Sequence, residues 1–287
     1  VTSITVTPIA PTTPTVPRRA IRVGCVSYLN AKPLIFGLED FDDIRLTLDV
    51  PAKLIDGLRN KSFDIALLPI IDYQRLENVA IVPSGGIGCD GPTLTVRIFS
   101  RVPIEKINLL ACDTHSHSSV ALARVILAEA YGRYPRFVDF DHQQPTDSPA
   151  ILLIGDKVVC AEPRGYEHQI DLGEAWKKLT GLPFVFAAWV ASNDADLGDL
   201  PARMIECKKQ GLAHVEQIID RDATPRGWPA DLARRYMTEY LKYDIGEDQL
   251  RAIGLFHTLA AKHGMITKPI RELVVRAGGE PERFEPQ

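Results

Sequence analysis

Four short segments of this 287-residue chain place hydroxyl, amide, imidazole or carboxylate groups where an apolar run gives way to the next element. In VSYLNAKPL (26–34), Ser27, Tyr28 and Asn30 follow the strand-like run IRVGCVS (21–27) and precede Pro33, which suits a helix start. Ligands of parallel sheets gather at the carboxyl ends of strands, so these three residues are placed to face one. Asn30 suits a helix cap equally well. In DTHSHSSV (113–120), Thr114, Ser116, Ser118 and Ser119 crowd a second helix start. Free backbone N–H groups and the helix dipole favour an anion there, such as a carboxylate, although serines also cap helices without any ligand. His115 and His117 in that segment have a spacing that can ligate zinc, but no third ligand follows at a recognisable spacing. No metal is therefore expected, and His117 can instead bring positive charge to a carboxylate.

The third segment is Gly155-Asp156, after the run AILLI. Asp156 can accept a hydrogen bond from a substrate hydroxyl, take part in proton transfer, or merely cap a turn. The fourth is GCDGPTLTV (88–96), a turn that aims a strand on which Thr93 and Thr95 share a face. One threonine hydroxyl is placed to meet a ligand. The β-propensity of threonine supplies a purely structural reason for the same residues.

The elements that must hold these segments follow an α/β pattern. IRVGCVS, then PAKLIDGLRNK (51–61) with Leu54, Ile55 and Leu58 at helical spacing, then FDIALLPI (63–70), make a βαβ unit. A second α/β stretch runs through KINLLACD (106–113), SVALARVILAEAYG (119–132), FVDF (137–140) and AILLIGDKVVC (150–160). Strand-like runs at about 93–100 and 183–191 connect the two stretches, which predicts two lobes joined by two crossing hinge strands. LAHVEQIID (212–220), PADLARRYMTEYLKY (229–243) and EDQLRAIGLFHTLAAKHG (247–264) carry apolar stripes and predict a helical C-terminal tail returning to the first lobe. The expected division is 21–97 plus 190–287 for lobe 1 and 98–189 for lobe 2, with the ligand cleft between them.

Composition narrows the function. Lys and Arg total 33 against 37 Asp and Glu, a net charge of −4, which disfavours a general nucleic-acid binder. The five cysteines are odd in number, widely spaced and without a C-x-x-C, which predicts neither a disulfide framework nor a thiolate zinc site. No Walker, dinucleotide-binding, H-E-x-x-H or G-x-S-x-G motif occurs. The Thr/Pro-rich residues 1–20 lack the basic-then-apolar order of a secretory signal and read as a disordered leader. With no membrane-spanning run, a cytoplasmic protein is expected.

VSYLNAKPL, DIALLP, IGCDGPTLTV, the loop ending in SSV, LLIGDKVV and DLGEAWKKLTGLPFVFAAW together resemble, in order and spacing, the chorismate dehydratase family of the futalosine route to menaquinone. The resemblance runs from about Ile21 to Trp189. It implies a type II periplasmic-binding-protein-like fold put to use as an enzyme, with no cofactor, converting chorismate to 3-[(1-carboxyvinyl)oxy]benzoate and water. It places the family's key asparagine on Asn30, its small hydroxyl residue on Thr95, and its anion-binding helix start on Ser118 and Ser119. Some relatives carry arginine where this chain has His117, which leaves the carboxylate-holding role of that position open. Two other readings share the fold: a solute-binding receptor for a small organic anion, and the ligand domain of a transcription regulator.

Overall fold

The computed structural model describes residues 19–112, 117–141, 146–160 and 163–285. All of the expected leader except Arg19 and Ala20 lies outside these residues, as do Thr114, His115 and Ser116.

Two sheets form the molecule. The first contains β1 (Ile21–Cys25), β2 (Ile44–Leu48), β3 (Ile65–Pro69) and β4 (Val79–Cys89). The second contains β5 (Val96–Ser100), β6 (Leu109–Cys112), β7 (Arg136–Asp139), β8 (Ala150–Ile154) and β9 (His168–Asp171), in the order β7-β6-β8-β5-β9. The chain then returns to the first sheet through β10 (Phe184–Ser192), β11 (Leu241–Lys242), β12 (Val274–Val275) and β13 (Glu282–Arg283). The order there is β13-β12-β4-β10-β3-β1-β2, with β11 paired to β4. β1 is parallel to β2 and β3, as a right-handed βαβ unit requires, and β10 runs antiparallel between β3 and β4. The helix of that unit, α1 (Pro51–Arg59), opens on its proline and buries Leu54, Ile55 and Leu58.

This is the expected α/β fold of two lobes, and the crossings fall at the turns. β5 lies wholly in the second sheet and β10 wholly in the first. Boundaries at 97/98 and 189/190 would cut through both strands. The chain instead passes between sheets at residues 90–95 and 181–183, because a strand cannot leave a sheet while its ladder is still paired.

One carboxylate holds both crossings. Asp171 ends β9 and caps α4 (Leu172–Thr180), accepting from the backbone N–H of Gly173 and Glu174 at 3.0 and 3.1 Å. It also accepts from the backbone N–H of Thr93 and Leu94 at 3.0 and 2.8 Å. Leu94 adopts φ +67°, a left-handed conformation that a branched side chain resists, and this bond helps retain it. At the next position Gly173 packs so closely that an added Cβ would sit 2.5 Å from Cys89 Sγ and 2.6 Å from Gly91 O. At the far end of α4, Gly181 takes the left-handed C-cap, and the buried Trp176 indole donates to Pro183 O at 2.9 Å. The segment DLGEAWKKLTGLP is thus a clasp, with each polar or small residue serving one crossing.

Three more helices bear on the site: α2 (His117–Tyr131) and α3 (Asp156–Cys160) in the second lobe, and α5 (Leu200–Ala213), which packs on the segment Leu29–Ile35 of the first. The other α-helices among the described residues are α6 (Val215–Ile218), α7 (Ala230–Arg235) and α8 (Glu247–Lys262). From α8, the buried His257 donates through Nε2–H to Ile70 O and accepts at Nδ1 from Gln74 Nε2, each at 2.9 Å. It thereby pins the 3-10 helix Ile70–Arg75 that follows β3.

Two outcomes follow from these contacts. Asp171→Ala strands four N–H donors and should cost about 2–4 kcal/mol of unfolding free energy in urea, with Asp171→Asn losing less. Burial lowers the His257 pKa from 6.5 to about 4. The unfolded chain therefore binds this proton first as pH falls. The His257 contribution is complete above pH 6.5 and is lost between about 6.5 and 4, a loss of about 3 kcal/mol. Urea midpoints across that window should flatten in His257→Gln relative to the wild type.

Candidate active site

A cavity of about 160 Å³ lies between the lobes. Tyr28, Asn30, Phe186, Trp228 and Tyr236 wall it from the first lobe, and Thr95, Ser119, Gly155, Asp156 and Lys157 from the second. Leu29, Leu67, Ile87, Val96 and Ile154 supply much of the apolar remainder.

After β1 the chain makes a tight 3-10 helix, Leu29–Ile35. Tyr28 is its N-cap and bonds no helix N–H through its side chain, so Asn30 lies inside the helix and does not cap it. The Asn30 carbonyl oxygen Oδ1 is buried without a hydrogen-bond partner, and the Asn30 side chain lies beside the Tyr236 hydroxyl, whose pKa it lowers. Thr95 is buried at the end of the first crossing, with Oγ1 2.9 Å from the Tyr236 hydroxyl. Burial raises the Tyr236 phenol to about 12, against the opposing bonds from Thr95 and Asn30. Its ring stacks on Trp228, with centroids 5.0 Å apart and planes 26° apart.

The Gly155 N–H donates to Thr95 O at 2.8 Å, and Gly155 adopts φ +62°, so the turn after β8 is locked to the first crossing. Asp156 then reaches across the cleft. Its Oδ1 accepts from the Trp228 indole at 2.7 Å and its Oδ2 lies 3.5 Å from Arg226 NH1. Arg226 also donates to Ser27 O at 2.9 Å. Asp156 therefore bridges the two lobes.

The structure separates the other expected residues. Ser119 lines the cavity, while Ser118, about 100° around α2, turns to the first lobe and accepts from the Ile71 N–H at 3.3 Å. Ser118 thus makes an inter-lobe contact and does not line the cavity. Ser27 is exposed, is absent from the cavity wall and contributes its carbonyl to Arg226. Thr114 lies outside the described residues. His117 Nδ1–H donates to the fully buried Asp72 at Oδ2, 2.7 Å away. The Arg75 guanidinium lies 3.0 Å from Asp72 Oδ1 without the alignment of a hydrogen bond. His117 thus serves an acid of the first lobe and does not line the cavity. Among the described residues no three His, Cys, Asp or Glu side chains gather as a metal site, and no helix is long and apolar enough to cross a membrane.

Tyr236, Trp228 and Lys157 escape the sequence reading. Tyr236 and Trp228 lie in the tail, where no local spacing marks them. Lys157 is the one cation in the cavity wall among the described residues, and its sole signal is adjacency to Asp156.

A family model described as menaquinone biosynthesis matches residues 21–262. This chain belongs to that family. A chorismate dehydratase of Thermus thermophilus is 24% identical over 245 residues, covering 78% of this chain and 89% of the relative. A chorismate dehydratase of Campylobacter jejuni is also 24% identical, covering 81% and 94%. Protein AF1704 of Archaeoglobus fulgidus superposes with a TM-score of 0.69 at 15% identity, over 86% of this chain and 98% of that one. The periplasmic aliphatic sulphonate binding protein SsuA of Escherichia coli gives 0.60 at 14% identity, over 94% and 97%. The fold is thus that of periplasmic binding proteins, and the family is a biosynthetic one.

In this family member the Asp156 bridge should govern closure. Asp156→Ala removes a charged acceptor worth about 1.5–3 kcal/mol, enough to shift an open–closed balance at least tenfold. The radius of gyration in solution scattering should rise, and an unchanged radius would show that the bridge does not hold the lobes.

Proposed function

We propose that this chain is a chorismate dehydratase, removing water from chorismate to give 3-[(1-carboxyvinyl)oxy]benzoate in menaquinone biosynthesis. One observation carries the reading: the closed cleft holds a buried amide carbonyl, Asn30 Oδ1, beside the Thr95–Tyr236 hydroxyl pair. The family match and the names of the two relatives support it.

Chorismate carries two carboxylates and an allylic C4 hydroxyl. The C3–H electron pair becomes the new ring double bond, the C4–O pair leaves with oxygen, and the proton taken from C3 completes the water. Aromatisation drives the step, so the site's work is orientation and support of the departing oxygen. Asn30 and Thr95 are assigned to that oxygen. Ser119 and the cationic Lys157 are assigned to the carboxylates, with Tyr28 and Gly155 shaping the entrance. Asp156 already has its partners in Trp228 and Arg226, so the substrate's own side-chain carboxylate is assigned as proton acceptor. Lobe closure excludes water.

The test mixes purified protein with chorismate, without metal or nucleotide, and follows products by chromatography and mass. An aromatic product lighter by one water, formed faster than the spontaneous background, is expected. Asn30→Ala should slow it by about 10²–10³. Chorismate that binds and stays intact would instead make the chain a binding protein.

A further inference from the structure

The hydrogen bonds of Asn30, Tyr236 and Thr95 can be counted to closure. Tyr236 and Thr95 carry one hydroxyl proton each, and their 2.9 Å contact consumes one of the two, whichever group donates. The Asn30 side chain lies beside the Tyr236 hydroxyl and its Oδ1 accepts nothing, so the amide N–H is the group that it can offer to Tyr236. Neither hydroxyl has a further hydrogen-bond partner among the described residues. The cluster therefore presents one unspent hydroxyl proton and one unspent carbonyl acceptor, both buried and both in the wall of the same cavity. Leaving them so would be costly. A carboxylate can take the proton but cannot satisfy the carbonyl, and an ammonium does the reverse. A neutral hydroxyl oxygen satisfies both, whether of a water in the free site or of an alcohol on a ligand that displaces it.

We propose that Asn30, Tyr236 and Thr95 form a subsite for an alcohol oxygen, and that Tyr236 is the positioning residue that fixes the direction of its hydrogen bonds. The Asn30 N–H donates to the Tyr236 oxygen, Tyr236 donates to Thr95 Oγ1, and Thr95 donates to the bound alcohol, whose own proton goes to Asn30 Oδ1. Bonds arranged in one direction around a ring polarise each other in the same sense. On the dehydratase reading, on which this assignment of the ligand rests, the alcohol is the leaving C4 hydroxyl. The Thr95 proton then points at the oxygen as it gains the C4–O electron pair, and the proton removed from C3 completes the water. Trp228 connects this ring to closure, because it stacks on Tyr236 and donates to Asp156 of the other lobe.

Tyr236→Phe keeps the ring and its stacking while deleting the hydroxyl. With chorismate as substrate, kcat should fall by about 10–100-fold while KM moves less than about threefold, in a variant that still unfolds cooperatively. Thr95→Val should fall at least as far and Thr95→Ser should retain most of the activity. The double variant Tyr236→Phe/Thr95→Val should be no slower than Thr95→Val alone, because both remove one chain of bonds. Multiplied losses in the double variant, or a raised KM with kcat intact, would overturn the proposal. A wild-type chain inert toward chorismate would defeat the dehydratase reading, and the ring is then read without substrate. The Tyr236 hydroxyl proton, assigned in NMR spectra by its loss in Tyr236→Phe, must shift in both Thr95→Val and Asn30→Ala. A signal that ignores both substitutions would overturn it.

Discussion

Asp171 gathers four backbone N–H groups from two stretches of chain that are 78 residues apart, and that one carboxylate ties the two crossings together. Two of the donors belong to the turn that carries the chain into the second sheet, and two belong to the helix that brings it back. A carboxylate is suited to this work because it accepts at two oxygens and its charge strengthens each bond. The left-handed Leu94 and the glycine at 173 are consequences, one a strained residue that the bonds retain and the other a space that no side chain can occupy. Thr95 stands one residue beyond Leu94. Its presence in the cleft is therefore set by the clasp rather than by its own strand.

The cleft is closed from several directions by bonds that are polar and individually modest. Asp156 meets Trp228 and Arg226 at the mouth, Ser118 meets Ile71 behind it, and His117 meets the buried Asp72. These polar bonds flank a hydrophobic core that is continuous between the lobes, in which Trp176 packs edge-on against Phe184 and Phe256. The chemistry is placed where closure brings the lobes together: Asn30 and Tyr236 come from the first lobe and Thr95 from the second. The binding-protein fold thus brings side chains of both lobes around one cavity.

The alternation of strand and helix, the two lobes and the strand-to-loop placement of Asn30, Thr95, Ser119 and Asp156 were legible in the sequence because they depend on local pattern. β4 was not, because Pro83 and three glycines break its run. Two of those glycines are required by the close approach of β10, where a Cβ at Gly86 or Gly88 would sit 2.6 Å from a backbone oxygen. Ser118 and Ser119 were indistinguishable as neighbours in a serine run, since only the packed helix decides which one turns to the cavity. Tyr236 lies in an amphipathic stripe that reads as ordinary core. It reaches the cleft because the helical run ends at Tyr240 and the chain then pairs as β11 beside Cys89. Long-range pairing of that kind has no signature in residue spacing.

The central claim is that the cleft presents Asn30 Oδ1 and the Thr95 hydroxyl to one alcohol oxygen of the substrate. A crystal structure of the slowed Thr95→Val variant soaked with chorismate tests it most directly. The account predicts chorismate in the cleft with its C4 oxygen about 3 Å from Asn30 Oδ1 and its carboxylates toward Ser119 and Lys157. Chorismate bound with a carboxylate against Asn30 and its C4 hydroxyl turned away, or bound outside the cleft, would contradict it.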